Sequence, residues 1–312
     1  MCNPQASARK KPVIGDLLEL FCNAVGSFMR TATAALATMS TAARVETPHA
    51  YTGRMCAASR FLESQRADAL FNDHLAHRLA GDEGLAQPMG DWIMTPRTVF
   101  GDDLLRSRYA AGVRQLVLLG AGMDARAYRM TDLPELRVFE VDQKTTFDVK
   151  EPLLHGEPLA VASRHTVATE FTQRGKWLSD LMASGFDAQQ PSVWLLEGLT
   201  MYLTLPDTHE LMREIGKASA SGSVLFHDAC SAHYMRSKIV VGGAPFVGGS
   251  DEYAQLWADH AGYSQGYVYD FSRAISVDRK RRRIVIDERA PEASPQAVAG
   301  KAVVLFVVVQ KP

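Results

Sequence analysis

Cysteine is scarce in this sequence of 312 residues, and what there is of it forms no recognisable motif. The four cysteines are scattered, with no CxxC pair and no histidine at metal-ligand spacing: Cys2, Cys22, Cys56 and Cys230. The spacing therefore predicts neither a zinc site nor a disulfide framework, and a reducing compartment is expected.

An excess of charge of either sign is also missing. Lys plus Arg (34) nearly balances Asp plus Glu (35), which gives a formal net charge of −1. Nucleic-acid-binding proteins usually carry a marked basic excess, so we expect no nucleic-acid partner. The basic run at residues 279–283 is the local exception, and we interpret it as a solvated turn before a strand.

Long hydrophobic runs are missing from the N-terminal part. Residues 13–39 are rich in small and apolar side chains, but Asp16, Glu19 and Arg30 interrupt them. A membrane span needs about 18 or more apolar residues, and a secretory leader needs a basic start before a clean apolar segment. We therefore expect that residues 1–50 form a helical extension and that no segment inserts stably into a membrane. We also expect the protein to be cytoplasmic. Basic residues at 9–11 are compatible with organelle import, against which the acidic residues weigh.

Hydrophobic periodicity predicts mostly helix before the first strand. Apolar residues recur at helical spacing over 54–86, and a second helical pattern covers 96–110. Five short apolar runs then alternate with helical stretches, which indicates parallel βαβ units. The predicted strands are 115–119, 136–142, 164–169, 193–196 and 223–226, with helices between them at 176–183 and 207–220.

Two β-rich runs close the chain. Residues 283–287 and 302–309 are joined by a proline-containing loop, and we expect them to pair antiparallel as the last two strands. The sequence thus predicts an α/β fold with a doubly wound, seven-stranded, mostly parallel sheet and N-terminal helices. The fold should occupy residues 51–312, with an aromatic-rich insertion at 230–270 and a flexible glycine-rich loop, a candidate lid, at 242–250.

A glycine turn marks the first strand as a cofactor site. Gly120 and Gly122 follow the strand directly, where glycine permits a tight turn and a close approach of a ligand to the backbone. Asp142 ends the second strand, where a carboxylate can accept hydrogen bonds from ribose hydroxyls, and Glu140 on the same face could share this role. Nicotinamide-dependent oxidoreductases and methyltransferases both use this device, so both stay open. The incomplete GxGxxG pattern, with Ala125 in its third position, counts against nicotinamide.

Three ordered motifs carry a resemblance to a known family. Residues 118–129 (LLGAGMDARAYR), 138–143 (VFEVDQ) and 194–203 (WLLEGLTMYL) resemble the leucine carboxyl methyltransferase family from about Arg54 onward. That family includes O-methyltransferases of polyketide-type metabolites and the enzyme that methylates the C-terminal leucine of protein phosphatase 2A. The phosphatase-methylating members carry a lysine where this chain has Ser59 followed by Arg60, and this departure weakens the protein-substrate reading.

The resemblance implies S-adenosyl-L-methionine as the cofactor, a class I methyltransferase sheet and a set of contacts. Gly120 and Gly122 would wrap the methionine part, Asp142 and Glu140 the ribose, and Arg97 the cofactor carboxylate through its guanidinium fork. The complete implied cofactor-binding set is Arg97, Gly120, Ala121, Gly122, Asp124, Glu140, Asp142, Gln143, Glu170, Phe171, Glu197 and Gly198.

The methyl acceptor is the least determined part of the prediction. We expect O-methylation of a carboxylate or hydroxyl on a small organic metabolite, because aromatic residues in 230–270 suit an apolar pocket. A protein C-terminal carboxylate is the alternative acceptor, and an oxidoreductase or a catalytically silent binding protein are the alternatives of other classes. A carboxylate acceptor needs no general base, whereas a hydroxyl benefits from one. Candidates for a base are Tyr202, His227 and His233. No metal site is predicted, and the oligomeric state stays open.

Overall fold

The computed structural model describes residues 47–312, except residues 172, 288 and 291. These described residues belong to one compact unit. The helical extension predicted for residues 1–50 falls almost entirely outside the described part of the chain.

A seven-stranded sheet forms the centre of the fold, in the strand order β3-β2-β1-β4-β5-β11-β8. Its five parallel strands are β1 (Gln115–Leu119), β2 (Arg137–Asp142), β3 (Ser163–Ala168), β4 (Ser192–Leu196) and β5 (Val224–Cys230). Two antiparallel strands complete it, β8 (Gln265–Asp270) and β11 (Val304–Gln310). Two small hairpins lie outside this sheet, β6 (Val240–Val241) with β7 (Ala244–Pro245) and β9 (Ile275–Asp278) with β10 (Arg283–Ile286).

Helices cover both faces of the sheet, as the alternation of strands and helices predicts. They are α1 (Pro48–Ser64), α2 (Ala76–Ala86), α3 (Asp91–Ala110), α4 (Arg126–Arg129), α5 (Lys144–Leu154), α6 (Lys176–Ala183), α7 (Leu205–Ala218), α8 (Ala232–Arg236), α9 (Tyr253–Ala261), α10 (Phe271–Ala274) and α11 (Pro295–Val298). Two 3-10 turns, Thr200–Tyr202 and Arg279–Arg281, connect some of these elements.

Alternate residues of the central strands enter two separate apolar cores. Leu116 and Leu118 of β1 pack on the face that α1, α2 and α3 cover, whereas Val117 and Leu119 pack on the face of α6, α7 and α9. Both faces of the central strands are therefore buried, which explains the continuous apolar runs of the parallel strands. The doubly wound sheet that the sequence predicts is confirmed.

The predicted terminal hairpin is wrong in its partner strand. The last strand, β11, pairs antiparallel with β5 on one side and with β8 on the other. Residues 283–286 instead pair with 275–278 in a separate hairpin. The sixth strand of the sheet is thus residues 265–270, where Val268 is buried in one core, Tyr269 is half-buried against the other and Tyr267 is exposed. The helix predicted over 54–86 is also divided, because residues 65–75 separate α1 from α2.

The basic run does more than form a solvated turn. Arg279 reaches α1, where its Nη1 and Nη2 lie 3.0 and 3.1 Å from the two carboxylate oxygens of Glu63. Glu63 is buried, so this bidentate pair fastens the β9–β10 hairpin to the end of α1. Among the helices of residues 47–312, none has the length and apolar character to cross a membrane.

Candidate cofactor and acceptor site

The glycine turn and the acidic end of β2 meet directly. Gly120 and Gly122 have positive φ angles of 71° and 47°, a conformation that other residues rarely adopt. The amide of Gly120 donates to the carbonyl of Val141 at 2.9 Å, and that of Gly122 donates to Asp142 Oδ2 at 2.6 Å. These two bonds fix the turn after β1 to the end of β2. The turn lies at the carboxyl edge of the sheet, where doubly wound folds bind ligands.

Asp142 retains the capacity to accept one more hydrogen bond. Its Oδ1 accepts from the amide of Gln143 at 2.6 Å and from the hydroxyl of Thr146 at 2.9 Å, whereas Gly122 is the only donor to Oδ2 within the described part of the chain. A carboxylate offers about four acceptor positions, so Oδ2 has one left. Burial raises the pKa of Asp142, and the hydrogen bonds from Gly122, Gln143 and Thr146 partly oppose that rise.

The carboxylate of Glu140 lies deeper in the protein than that of Asp142 and makes different contacts. Its side chain has no exposed surface, and Lys150 Nζ lies 2.7 Å from its Oε2. Arg164 contacts both oxygens, with Nε 2.9 Å from Oε1 and Nη2 2.7 Å from Oε2. Both oxygens are thus occupied within the protein, and this geometry favours support of the β2–β3 edge over a contact with ribose.

A buried guanidinium connects the first and fourth strand ends. Arg126 is 2% exposed and directs one nitrogen to each of three carboxylates. Its Nε lies 2.8 Å from Asp102, its Nη1 2.5 Å from Asp124 and its Nη2 2.7 Å from Glu197. Arg129 adds two bonds to Asp102, at 2.6 and 2.8 Å. Burial alone would raise the pKa of Asp124, but the arginines, Arg126 foremost, lower it well below its usual value. For Glu197 burial prevails, and its pKa is raised.

Arg97 occupies the centre of the site between the ends of β4 and β5. Its Nη1 lies 2.8 Å from Asp228 Oδ2, and the other carboxylate oxygen of Asp228 accepts from the amide of Gly198 at 2.6 Å. The remaining nitrogens have weak partners: Nη2 contacts Met94 Sδ at 3.0 Å, and Nε lies 3.8 Å from Glu197 Oε2 with no hydrogen bond among the described residues. A buried guanidinium with spare donors suits an incoming carboxylate.

Three further residues of the implied cofactor-binding set, Gln143, Glu170 and Phe171, lie together at the ends of β2 and β3. Gln143 Nε2 donates to Glu170 Oε2 at 3.0 Å although 27 positions separate them in the chain. Phe171 is half-buried, and its ring packs edge-on to Trp177 at 6.2 Å. The buried hydroxyl of Thr169 has no hydrogen-bond partner among the described residues. The apolar ring of Phe171 beside the hydroxyl of Thr169 suits a flat heteroaromatic ligand.

One face of helix α1 covers the site. Gly53, Cys56 and Arg60 recur at spacings of four and three residues, so they share a face. A β-carbon added to Gly53 would lie 3.5 Å from the α-carbon of Gly122, and Cys56 Sγ lies 3.6 Å from Arg97 Nη2. Arg60 donates to the carbonyl of Met123 and, through Nε, to Asp73 at 2.8 Å. Its neighbour Ser59 instead turns to the carbonyl of Met89.

Aromatic side chains form a wall beyond Gly198. The ring of Tyr202 meets that of His49 and that of Phe246 edge-on, each at a centroid distance of 5.2 Å. Tyr234 lies 6.3 Å from Phe246 on the same side. Burial raises the pKa of the Tyr202 hydroxyl, so this phenol is a poor base. We name these four residues, His49, Tyr202, Tyr234 and Phe246, the aromatic wall.

The glycine-rich loop predicted to be a flexible lid is largely fixed. The amides of Val247 and Gly248 donate to the carbonyl of Met201 at 2.8 and 3.0 Å, and that of Ser250 donates to Cys230 at 3.0 Å. A β-carbon at Gly248 would collide with the carbonyl oxygens of Thr200 and Leu203. Glycine permits close backbone packing here, and the loop presents Phe246 to the aromatic wall as a fixed segment.

The three candidate bases are not equivalent in position. His227 and Asp228 point to opposite faces of β5, and His227 is fully buried with its Nε2 accepting from Trp257 Nε1 at 3.0 Å. Burial lowers its pKa to about 3, and the structure does not bring it to the site. His233 is half-buried on α8, with its ring 6.4 Å from that of Tyr234. Tyr202 alone of the three follows the Glu197–Gly198 turn directly.

Several residues of this site carry weaker sequence signals than the glycine turn. Arg126 lies within the quoted first motif, but its partner Asp102 sits in a helix 24 positions away. Gly53 precedes the part of the chain that resembles the family, and Cys56 lies at its start. Their helical spacing with Arg60 is the one sequence signal that places the three residues on a shared helix face. His49 lies in the segment that the sequence assigned to the N-terminal extension.

The comparison with known proteins follows from this geometry. The model of the leucine carboxyl methyltransferase family matches residues 54–216, which include the glycine turn, Arg97, Asp142 and Glu197. The chain belongs to this family. It is accordingly an S-adenosyl-L-methionine-dependent methyltransferase.

Two bacterial relatives agree with this assignment. A protein of Streptomyces coelicolor with the provisional name S-adenosyl-L-methionine-dependent methyltransferase is 35% identical over 261 residues, covering 77% of this chain and 91% of the relative. A similarly named protein of Streptomyces avermitilis is 42% identical over 181 residues, covering 53% of this chain and 63% of the relative. A crystal structure of a provisionally named methyltransferase from Thermobifida fusca has a TM-score of 0.49 at 15% identity, covering 83% of this chain and 94% of that one.

The residues present fit S-adenosylmethionine. The cofactor bears a carboxylate, an ammonium group, a ribose and an adenine. Opposite these the site offers the spare donors of Arg97, the carboxylate of Glu197, the free acceptor position of Asp142 and the unpaired hydroxyl of Thr169. Each group therefore has a partner of complementary chemistry at the edge of the sheet.

Proposed function

We propose that this protein transfers the methyl group of S-adenosylmethionine to an oxygen atom, carboxylate or hydroxyl, of a small organic acceptor. The aromatic wall carries the proposal. It follows the Glu197–Gly198 turn, and its rings, packed edge-on against one another at 5.2 Å, form a continuous aromatic surface that suits a flat, largely apolar molecule.

The protein's part in such a transfer is to bind, orient and exclude water. When bound, the cofactor supplies a methyl group activated by a sulfonium. Arg97 would hold its carboxylate, Glu197 its ammonium group and Asp142 its ribose. Asp228 keeps Arg97 in place by a bond of 2.8 Å while its other oxygen fixes the amide of Gly198. Fixed positions for both reactants account for much of the rate of a displacement between them.

Helix α1 and the fixed loop would separate the reaction from solvent. Gly53 packs on the glycine turn, and residues 247–250 are bonded to the backbone that follows Gly198. A site covered on two sides strengthens the electrostatic interactions inside it, because less water screens them.

The first test measures the cofactor and its binding site together. Isothermal titration with S-adenosylmethionine and with NADH should detect binding of the first only. Asp142→Ala should weaken that binding at least tenfold, which corresponds to about 1.4 kcal/mol. Asp148→Ala, an exposed carboxylate on α5, is the matched control and should bind normally. Tighter binding of NADH would contradict the proposal, and absence of any binding would favour a catalytically silent protein.

The second test concerns the acceptor class. Transfer of a radiolabelled methyl group should occur to small aromatic carboxylates or hydroxyl compounds and be negligible to a peptide that ends in a free leucine carboxylate. The family description makes the peptide the second candidate acceptor. Preferred methylation of the peptide would replace the small-molecule proposal by protein carboxyl methylation.

A further inference from the structure

His49 shares the face of helix α1 that covers the cofactor site. It precedes Gly53 by four residues, Cys56 by seven and Arg60 by eleven, and residues at these spacings lie on one side of a helix. Gly53 contacts the glycine turn, Cys56 contacts Arg97 and Arg60 contacts the carbonyl of Met123. The helix therefore directs His49 toward the same site, about 6 Å beyond Gly53 along its axis.

The imidazole of His49 lies on the acceptor side of that site. Its ring meets the ring of Tyr202 edge-on, at 5.2 Å and 89°. Tyr202 follows Gly198 by four residues and is in turn covered by Phe246. The His49 side chain is exposed, so a ligand placed against Tyr202 and Phe246 has access to it.

Of the other imidazoles, His233 also lies near the aromatic wall, with its ring 6.4 Å from that of Tyr234, but it makes no ring contact with Tyr202 among the described residues. His227 is buried on the opposite face of the sheet, and His165 stacks on Phe139 at 5.0 Å. His209 and His260 stack on each other between α7 and α9 at 4.3 Å. His77 packs against Phe61 at 4.7 Å. Among the ring pairs of the described residues, His49 supplies the only imidazole that contacts Tyr202.

The charges around Tyr202 disfavour a second anion. Arg97 is the cation that acts on the Tyr202 hydroxyl, and it is already paired with Asp228 at 2.8 Å and faces Glu197 at 3.8 Å. A carboxylate acceptor would have to share Arg97 with Asp228 and with the carboxylate of the bound cofactor, which would take its spare donors first. An uncharged acceptor needs no such counter-charge.

We infer that the acceptor is an uncharged aromatic hydroxyl compound and that His49 takes its proton. This inference rests on the proposed function. The acceptor oxygen forms the bond to the methyl carbon, and the carbon–sulfur bond breaks with its electron pair passing to sulfur. The hydroxyl proton passes to a ring nitrogen of His49. Imidazole is the side chain most often used for this transfer near neutral pH.

The test uses two probes of the same shape and different charge, 4-methylphenol and 4-methylbenzoate. In the presence of S-adenosylhomocysteine, 4-methylphenol should shift the imidazole NMR signal of His49, assigned by its disappearance in His49→Gln. The benzoate should shift it less. An equal or larger shift by the benzoate, or no shift by either probe at millimolar concentration, overturns the inference.

Methyl transfer then separates this inference from the proposed function. His49→Gln should lower the rate with 4-methylphenol by about 10²–10⁴, the usual contribution of a general base. S-adenosylhomocysteine affinity should be unchanged, as in the control His155→Gln, an exposed ring at the end of α5. Transfer to the benzoate that is insensitive to His49→Gln would overturn the inference and leave O-methylation intact. Transfer to neither probe, with transfer to a leucine-ended peptide, would overturn both.

Discussion

Gly53 of helix α1 and Gly122 of the cofactor turn pack against each other without an intervening side chain. A β-carbon on Gly122 would lie 3.6 Å from the α-carbon of Gly53, and one on Gly53 would lie 3.3 Å from the amide nitrogen of Met123. The backbones of the helix and the turn are therefore in direct contact. Any side chain at position 53 has to displace either the helix or the turn.

Enlarging residue 53 should weaken cofactor binding in proportion to its size. Gly53→Ala needs a shift of a few tenths of an ångström and should reduce the affinity for S-adenosylhomocysteine only a few-fold. Gly53→Val should reduce it at least tenfold, because its branched side chain enters the turn. Calorimetric titration of both variants measures this, with thermal unfolding as the check on folding. Wild-type affinity in Gly53→Val would show that the helix is not packed on the turn when ligand is bound.

Removal of the Arg126 guanidinium should destabilise the fold. Arg126→Met leaves Asp102, Asp124 and Glu197 buried with one cation fewer, and breaking a buried ion pair costs about 3–5 kcal/mol. The control is Arg78→Met, whose partially exposed pair with Glu157 should be worth under about 1 kcal/mol. Denaturant unfolding compares the two. Equal stability of the two variants would mean that the buried network adds nothing to folding.

Cofactor affinity should fall on acidification at a higher pH than an exposed aspartate would cause. Burial raises the pKa of Asp142 above its usual 3.8, and the ionised form is the one that accepts a hydrogen bond from ribose. The dissociation constant of S-adenosylhomocysteine, measured between pH 7.5 and 4.5, should therefore increase toward the acidic end. The Asp142→Asn variant should bind S-adenosylhomocysteine more weakly at pH 7.5, and its affinity should depend less on pH. An unchanged pH profile in that variant would assign the titration to another group.

Folding stability responds to the same group with the opposite sign. Because the pKa of Asp142 is higher in the folded than in the unfolded protein, the folded state binds more protons between those two values. The contribution of this carboxyl to stability is therefore greatest below the unfolded pKa and is lost as the pH rises through the folded one. The free energy of unfolding, measured against pH for the wild type and for Asp142→Asn, gives the contribution of Asp142 as the difference between the two curves.

The loop at 242–250 should exchange its amide hydrogens slowly in its second half. Val247, Gly248 and Ser250 donate backbone hydrogen bonds of 2.8, 3.0 and 3.0 Å. Gly248→Ala should also lower the melting temperature, since its β-carbon has no room beside the carbonyl oxygens of Thr200 and Leu203. Exchange as rapid as in an unstructured peptide would restore the flexible lid that the sequence suggested.

The parallel half of the fold could be predicted because each strand carries its own signal. Leu116–Leu119 and Val193–Leu196 are buried on both faces and read as continuous apolar runs. The edge strand at 265–270 is only partly buried, with Tyr267 exposed and Tyr269 half-buried, so its Gly266, Tyr267 and Val268 resemble a pocket lining as much as a strand. The run at 283–286 was the stronger β signal, but it pairs locally with 275–278.

The site divides in a similar way. Gly120, Gly122 and Asp142 follow strands that the sequence identifies, and parallel strands bring their carboxyl ends to one edge. Arg126 and Asp228 could not be given partners in advance, because their bonds to Glu197 and Arg97 join residues 71 and 131 positions apart. Pairings across such distances depend on how the helices pack, which local patterns do not encode.

The position of β11 has a consequence for biosynthesis. This strand lies between β5 and β8, so two segments that the ribosome has already produced wait for residues 304–310 before they can be joined. Until then the newly made chain exposes two strand edges and the apolar side chains of Phe226 and Val268, which β11 later covers. The chain is therefore most prone to aggregation after β8 has been synthesised and before β11 has left the ribosome. A chaperone that captures nascent chains should be bound to it at that stage.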